Sequence, residues 1–445
     1  MSKPMVAIVG RANVGKSTLF NLLCGSNLSI VKDTPGVTRD RIYADSDWNG
    51  KEFILIDTGG IEPASDDVIM RQMREQAEMA IEMASVIVFM VDVKDGLTDI
   101  DYEVADMLRR SKKPVVICVN KVDSFKKQLD NTYEFYNLGL GDPIPVSAMG
   151  RLGIGDLLDE VVRHFPERNA EEEEDDSVKV AVIGRPNAGK SSIVNRLLGE
   201  NRMIVSDIAG TTRDAVDSSV MHNKQKYTFI DTAGLRRKAK IKEDIERYSI
   251  IRAVAAVDRA DIVVLVIDAV TGVGEQDAKI AGIAHERGKG LIIAVNKWDA
   301  VPEKDDKTMN RFTKELRSKF PFAQYADIMY VSALTGQRLI KLYDEIDKVR
   351  ENQTMRVPTG VLNEIVSEAA ALQQPPSDQG RRLRIYYTTQ VSVKPPTFIF
   401  FVNSRELFHF SYQRYIENKF REAYGFWGTP VHFIIRERDK KEQDE

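Results

Sequence analysis

Two stretches, GRANVGKS (10–17) and GRPNAGKS (184–191), share the spacing Gly-x-x-x-x-Gly-Lys-Ser, and each follows an apolar run, MVAIV or VKVAVI. Glycines at such spacing let the backbone wrap a polyphosphate. Successive N–H groups at a helix start then bind its oxygens, and the lysine neutralises charge on the outer phosphates. The spacing marks Gly10, Arg11, Asn13, Val14, Gly15, Lys16, Ser17 and Thr18 as one phosphate loop. Gly184, Arg185, Asn187, Ala188, Gly189, Lys190, Ser191 and Ser192 form the other. The hydroxyls of Ser17 and Ser191 are expected to hold Mg2+. Ala12 stands where the second loop has Pro186, an exchange that changes loop stiffness and not chemistry.

Three further motifs follow each loop in the same order. DTGG (57–60) and DTAG (231–234) end strand-like runs, which sets Asp57 and Asp231 beside the metal and lets Gly60 and Gly234 sense the outer phosphate through their N–H groups. In DTPGVTRD (33–40) and DIAGTTRD (207–214), Thr38 and Thr212 lie in loops that would close on Mg2+ and the γ-phosphate. Lys16, Thr38 and Gly60, with Lys190, Thr212 and Gly234, are thus the expected catalytic set. NKVD (120–123) and NKWD (296–299) choose the base. A carboxylate that accepts from two adjacent donors fits the N1–H and exocyclic amine of guanine, and adenine offers no such pair. Asp123 and Asp299 therefore argue for GTP over ATP and against an ATP-driven nucleic-acid motor. Asn120 and Asn296 open these motifs, Lys121 and Lys297 are expected over the base plane, and Ser147, Ala148, Ser332 and Ala333 are expected to offer backbone N–H groups to guanine O6.

The elements that must position these residues are duplicated too. Lys16 maps onto Lys190 at an offset of 174, Asp123 onto Asp299 at 176 and Ser147 onto Ser332 at 185, so later loops of the second copy carry insertions. A period near 175 residues is too long for a stacked repeat, and each copy needs its own core. Runs such as KEFILID, VIVFMVDV and KPVVICVN alternate with helix-like segments, which predicts an α/β fold with doubly wound, mostly parallel sheets. The expected boundaries are 1–168 and 178–352 for the two copies, separated by an acidic linker at 169–177. Residues 353–436 have no earlier counterpart and read as an α+β domain in the order α-β-β-α-β; 437–445 form a charged tail.

Composition narrows the class. With 63 basic against 67 acidic residues the chain is not basic throughout, so any polyanion contact must be local. Residues 355–436 hold ten Lys/Arg against six Asp/Glu and 14 of the 35 aromatics. Phe398, Phe400, Tyr412, Ile416 and Phe420 recur at strand or helix spacing and are expected in a core, which leaves Arg381, Arg382, Arg384 and Lys394 as candidate RNA contacts. The two cysteines, Cys24 and Cys118, give no disulfide framework. The longest apolar runs fall far short of ~20 residues, so the expectation is a cytoplasmic protein without a membrane span.

Five motifs in order, twice over, followed by this C-terminal domain, resemble the Der (EngA) family of bacterial double-G-domain GTPases over essentially the whole chain. The resemblance implies two tandem P-loop G domains, a KH-like last domain, and hydrolysis of GTP to GDP and phosphate by a monomeric double switch in assembly of the large ribosomal subunit, with rRNA and ribosomal proteins as partners. The alternative is a GTP-dependent scaffold or sensor in which one copy binds but barely hydrolyses. One departure bears on catalysis: where Ras-like proteins carry a water-positioning glutamine or histidine, this chain has Ile61 and Leu235. In related GTPases with that replacement a phosphate-loop asparagine supports a K+ ion, and Asn13 and Asn187 match it. A KH domain that binds single strands uses a Gly-x-x-Gly loop between helices. The only such spelling in residues 353–436, GFWG (425–428), falls between the last helix and the last strand and reads as a helix stop and turn, so the domain is expected to pack against a G domain or to present another face to RNA. The basic cluster RRKAKIK (236–242) is either a solvated loop or an RNA-facing surface.

Overall fold

The computed structural model describes residues 3–25, 43–58, 66–124, 130–166, 176–200, 217–231, 245–305, 307–378 and 380–437. The chain divides into two compact units, one holding a first six-stranded sheet, the other holding a second such sheet together with a C-terminal layer. Thr38, Gly60, Thr212, Gly234 and the 236–242 cluster lie outside the described residues, as do Ile61, Leu235 and most of the acidic linker.

The first unit runs β1 (Met5–Gly10), α1 (Lys16–Gly25), β2 (Tyr43–Trp48), β3 (Lys51–Asp57), α2 (Asp66–Met83), β4 (Val86–Asp92), α3 (Asp99–Ser111), β5 (Val115–Asn120), a 3-10 turn (Asp130–Leu138), β6 (Ile144–Pro145) and α4 (Ile154–Arg163). The strand order is β2-β3-β1-β4-β5-β6, parallel except for the β2–β3 pair. β1 and β4 are buried throughout, and apolar apart from Asp92 at the end of β4, because helices cover both faces of a parallel sheet. Val6, Ile8, Val88, Met90 and Cys118 pack on Leu19 and Phe20 of α1 and on Leu157 and Val161 of α4. Burial pushes the Cys118 thiol up to about 12, so this sulfur is an inert core group.

The order then repeats: β7 (Val178–Ile183), α5 (Lys190–Glu200), β8 (Ser218–His222), β9 (Gln225–Ile230), α6 (Ile245–Arg259), β10 (Ile262–Asp268), α7 (Glu275–Glu286), β11 (Gly290–Asn296), α8 (Thr308–Lys319), β12 (Asp327–Tyr330) and α9 (Lys341–Thr354). The sheet order β12-β11-β10-β7-β9-β8 matches the first, again with one antiparallel edge pair, β8–β9.

The C-terminal layer comprises α10 (Thr359–Leu372), the short pair β13 (Ser377–Asp378) and β14 (Arg381–Arg382), β15 (Ile385–Val393), β16 (Pro396–Val402), α11 (Phe410–Tyr424) and β17 (His432–Glu437). β16 is central, antiparallel to β15 and parallel to β17. Phe398, Phe400, Tyr412, Ile416 and Phe420 meet Phe426 and Phe433 in one core, as their spacing predicts. The last helix begins five residues later than the first charged residue of its segment: Arg405 N–H is held by Glu437 Oε1 at 2.6 Å, and the following turn buries Leu407 and Phe408.

GFWG closes α11 and docks this layer on the second sheet. Gly425 takes φ +88° and Gly428 φ +76°, both in the left-handed region that glycine tolerates. Gly428 N–H donates to Tyr325 O at 2.8 Å, its carbonyl accepts from Leu291 N–H at 2.7 Å, and a Cβ at Gly428 would strike Val349 of α9. Lys394 likewise turns to the second copy, 3.9 Å from Asp261, whereas Arg381, Arg382 and Arg384 are exposed.

Candidate active sites

Each phosphate loop leaves the end of a buried strand and enters a helix, because its glycines fit where no side chain would. A Cβ on Gly10 would strike Met90 O of β4, and one on Gly184 would strike Val266 O of β10. Gly15 (φ +101°) and Gly189 (φ +96°) have Asn120 Nδ2 and Asn296 Nδ2 where a Cβ would stand. Asn13 and Asn187 sit at φ +65° and +63°, a conformation asparagine adopts more readily than most residues. That backbone reason for asparagine holds independently of any ion.

The asparagine of the base motif joins three segments. Asn120 Nδ2 donates to Val14 O at 2.7 Å and its Oδ1 accepts from Ala148 N–H at 2.9 Å. Asn296 repeats this with Ala188 O and Ala333 N–H, both at 2.9 Å. Phosphate loop, base motif and Ser-Ala turn are therefore one rigid assembly in each copy, with Asn120 and Asn296 buried. The N–H groups expected to meet guanine O6 are engaged within the protein: Ser147 N–H with Leu152 O at 3.0 Å, Ser332 N–H with Gln337 O at 3.2 Å, and both alanine N–H groups with asparagine. Contact with O6 would need a shared, three-centre bond.

Lys16 Nζ donates to Gly10 O at 2.6 Å and Arg11 O at 2.5 Å; Lys190 Nζ bonds Gly184 O at 2.7 Å and Arg185 O at 2.8 Å. Both ammonium groups thus lie across their own loops. Desolvation lowers the Lys16 ammonium to about 8, partly opposed by Asp57. Ser17 Oγ donates to Asp57 Oδ2 at 3.0 Å, which brings together the hydroxyl and carboxylate expected to serve a metal. These are hard oxygen donors of the kind Mg2+ takes, few enough to leave positions for phosphate and water. In the second copy Asp231 follows β9 at φ +58°, its N–H donating to Asp217 Oδ1 at 2.9 Å. Val14 and Ala188 are buried beneath their loops, and Thr18 and Ser192 lie in the first turn of α1 and α5.

Four carboxylates that motif spacing did not flag complete the sites. Asp92, ending β4, pairs with Lys121, and Asp268, ending β10, holds Lys297 Nζ at 2.6 Å. Lys121 and Lys297 take φ +65° and +61°, so each lysine leaves its strand sharply and is steadied from the neighbouring one. Asp101 Oδ2 lies 3.1 Å from Arg11 Nε and accepts from Thr98 N–H at 3.0 Å, capping α3; Asp277 Oδ2 lies 2.8 Å from Arg185 Nε and accepts from Gly274 N–H at 2.9 Å at the start of α7. Both are fully buried, and desolvation raises both carboxyls above the usual range against the pull of their arginines. The arginines of both phosphate loops are thus fastened to helix caps. All four carboxylates recur at the offset of 176, the signal that could have found them.

Residues 5–121 and 179–297 match the sequence family described as a 50S ribosome-binding GTPase, and residues 356–436 match the C-terminal KH-domain-like family of EngA bacterial GTPase enzymes. The chain belongs to the Der (EngA) family of GTPases. It is 66% identical to GTPase Der of Lachnospira eligens over 99% of this chain and 100% of that one. Against GTPase Der of Lachnoclostridium phytofermentans it is 66% identical over the whole of both chains, and against that of Ruminiclostridium cellulolyticum 59% over 99% and 100%. Der membership makes the chain an enzyme that binds and hydrolyses GTP. The tandem α/β domains and the KH-like layer expected from the sequence are both present. No helix among the described residues is long and apolar enough to cross a membrane.

Proposed function

We propose that this Der-family GTPase is a cytoplasmic, monomeric double switch in maturation of the large ribosomal subunit, with residues 1–168 and 178–352 as its two GTP-operated domains and 353–436 as the module they move. The observation that carries the reading is the repeated asparagine bridge, which ties phosphate loop to base motif in both copies alike. Two sites so alike are more economically read as two working switches than as one site and a remnant. The name of the matching family, 50S ribosome-binding GTPase, supports the partner.

In each site the loop N–H groups and Lys16 or Lys190 hold the β- and γ-phosphates, and Asp123 or Asp299 holds the guanine edge. Ser17, Thr38 and Asp57, with Ser191, Thr212 and Asp231, would hold Mg2+, which would supply positive charge against the negative charge of the phosphates. Asn13 and Asn187 would hold K+. Gly60 and Gly234 follow the state of the γ-phosphate. A loose transition state asks the chain mainly for position and fixed charge, which a rigid three-segment site supplies.

Co-sedimentation with isolated ribosomal subunits, in a non-hydrolysable GTP analogue and in GDP, tests the partner; binding to the large subunit with the analogue alone is expected, and no binding in either state removes the ribosomal assignment. Turnover by full-length Lys16→Ala and Lys190→Ala separates two working switches from the scaffold reading, in which one substitution would leave hydrolysis intact. Equal rates in KCl and NaCl would remove the potassium role.

A further inference from the structure

Among the differences between the two base sites is a residue that their shared backbone makes directly comparable. Lys94 and Val270 each stand two residues past the aspartate that ends the central strand, and each N–H donates to that aspartate's Oδ1 at 2.9 Å. The same turn closes behind both, Gly96 N–H to Asp92 O at 3.1 Å and Gly272 N–H to Asp268 O at 3.0 Å. The side chains then diverge. Lys94 Nζ donates to Asp123 Oδ2 at 2.7 Å, while Asp123 Oδ1 accepts from Ser147 Oγ at 2.9 Å, so both oxygens of the first base-reading carboxylate are engaged. Val270 offers no donor, and Asp299 Oδ1 is buried with no hydrogen-bond partner among the described residues.

We propose that Lys94 is a specificity-setting residue that competes with the base for Asp123, so that the first site separates guanine from hypoxanthine less sharply than the second. The inference rests on the reading that Asp123 and Asp299 hold the guanine edge. Guanine needs both carboxylate oxygens, one for N1–H and one for the exocyclic amine; hypoxanthine has N1–H alone. At the second site, loss of the amine leaves a carboxylate oxygen in a buried place without a donor, which is the costly kind of mismatch. At the first, Lys94 keeps that oxygen paired when the amine is missing and must yield it when the amine is present. The pair is about half exposed on both sides, 52% for Lys94 and 53% for Asp123, so its strength is that of a surface ion pair and its effect on the preference is up to about fivefold. Salt screens such a pair, and the first site's preference for guanine rises with ionic strength.

The test uses the full-length protein with one phosphate loop disabled, Lys190→Ala to read the first site and Lys16→Ala to read the second. Displacement of a fluorescent GDP analogue by GDP and by inosine diphosphate, at low and high salt, gives the preference of each site. The expected result is a smaller preference at the first site, raised up to about fivefold by Lys94→Val, and a preference at the second site lowered by Val270→Lys. A preference that Lys94→Val leaves unchanged, or a loss of GDP affinity in that variant, overturns the proposal. Asp123→Asn keeps the two readings apart. If it abolishes the guanine preference while Lys94→Val is silent, only the role of Lys94 falls; if it leaves the preference intact, the base-reading assignment falls and the proposal with it.

Discussion

Replacing Asn120 by alanine tests whether phosphate loop and base motif are one mechanical unit. The side chain is 3% exposed, donates to Val14 O at 2.7 Å and accepts from Ala148 N–H at 2.9 Å. Truncation leaves a carbonyl and an amide without partners in a buried place, at about 1–3 kcal/mol each, hence about 2–6 kcal/mol for the local structure. Because about 1.4 kcal/mol is a factor of ten, guanine-nucleotide affinity at the first site should fall at least roughly tenfold while the second site is unchanged. Nucleotide titration in a Lys190→Ala background measures the first effect, and hydrogen exchange at the Ala148 amide reads the released N–H directly. Asn120→Asp sharpens the test. It keeps an acceptor for Ala148 but sets a carboxylate against the Val14 carbonyl, so Ala148 stays protected while binding is still lost. Full affinity in Asn120→Ala, with the Ala148 amide still protected, would refute the idea that this bridge holds the site.

Two further predictions concern charge. Lys16 titrates near 8 in the folded protein and near 10.5 unfolded, so between these values the unfolded chain binds more protons and the nucleotide-free first unit gains stability as pH rises; phosphate binding needs the ammonium, and first-site GDP affinity should fall about threefold from about pH 7.5 to 8.5 by isothermal titration. Arg11→Ala strips the cation from the fully buried Asp101 and should cost about 3–5 kcal/mol by urea unfolding of the first unit, whereas Arg11→Ala combined with Asp101→Asn should recover most of that loss, since no uncompensated charge remains buried.

Motif spacing singled out the loops, aspartates and Asn-Lys-x-Asp motifs proposed here for phosphate, metal and guanine because each depends on residues close together in the chain, and the chemistry proposed for them is tied to type: glycine where no Cβ fits, lysine for phosphate, aspartate for two adjacent donors. What spacing missed lies across strands. Asp92 steadies Lys121 from the neighbouring strand β4, and Asp101 fastens Arg11 from 90 residues away, contacts that only the sheet register and the α3 cap create. GFWG shows the same limit from the other side. Its glycines announce a turn, but what it docks on, Tyr325, Leu291 and Val349, comes from three separate segments of the second copy.

Duplication supplies the comparison that a single site lacks. Where the two copies agree, at the asparagine bridge, the buried arginine–aspartate clamp and the lysine–aspartate pair, a shared physical demand is the simplest cause, because each device closes a buried polar group that would otherwise cost stability. Where they part, at Lys94 and Val270, the backbone turn makes no demand on the side chain: both side chains stand at the exposed rim, and either residue satisfies the same turn. A position free of backbone demand, whose lysine in the first copy touches the carboxylate proposed to read the base, is where two copies of one machine can acquire different thresholds for the same nucleotide. Lys94 would then set a first switch that answers to salt and to competing purines, beside a second that does not.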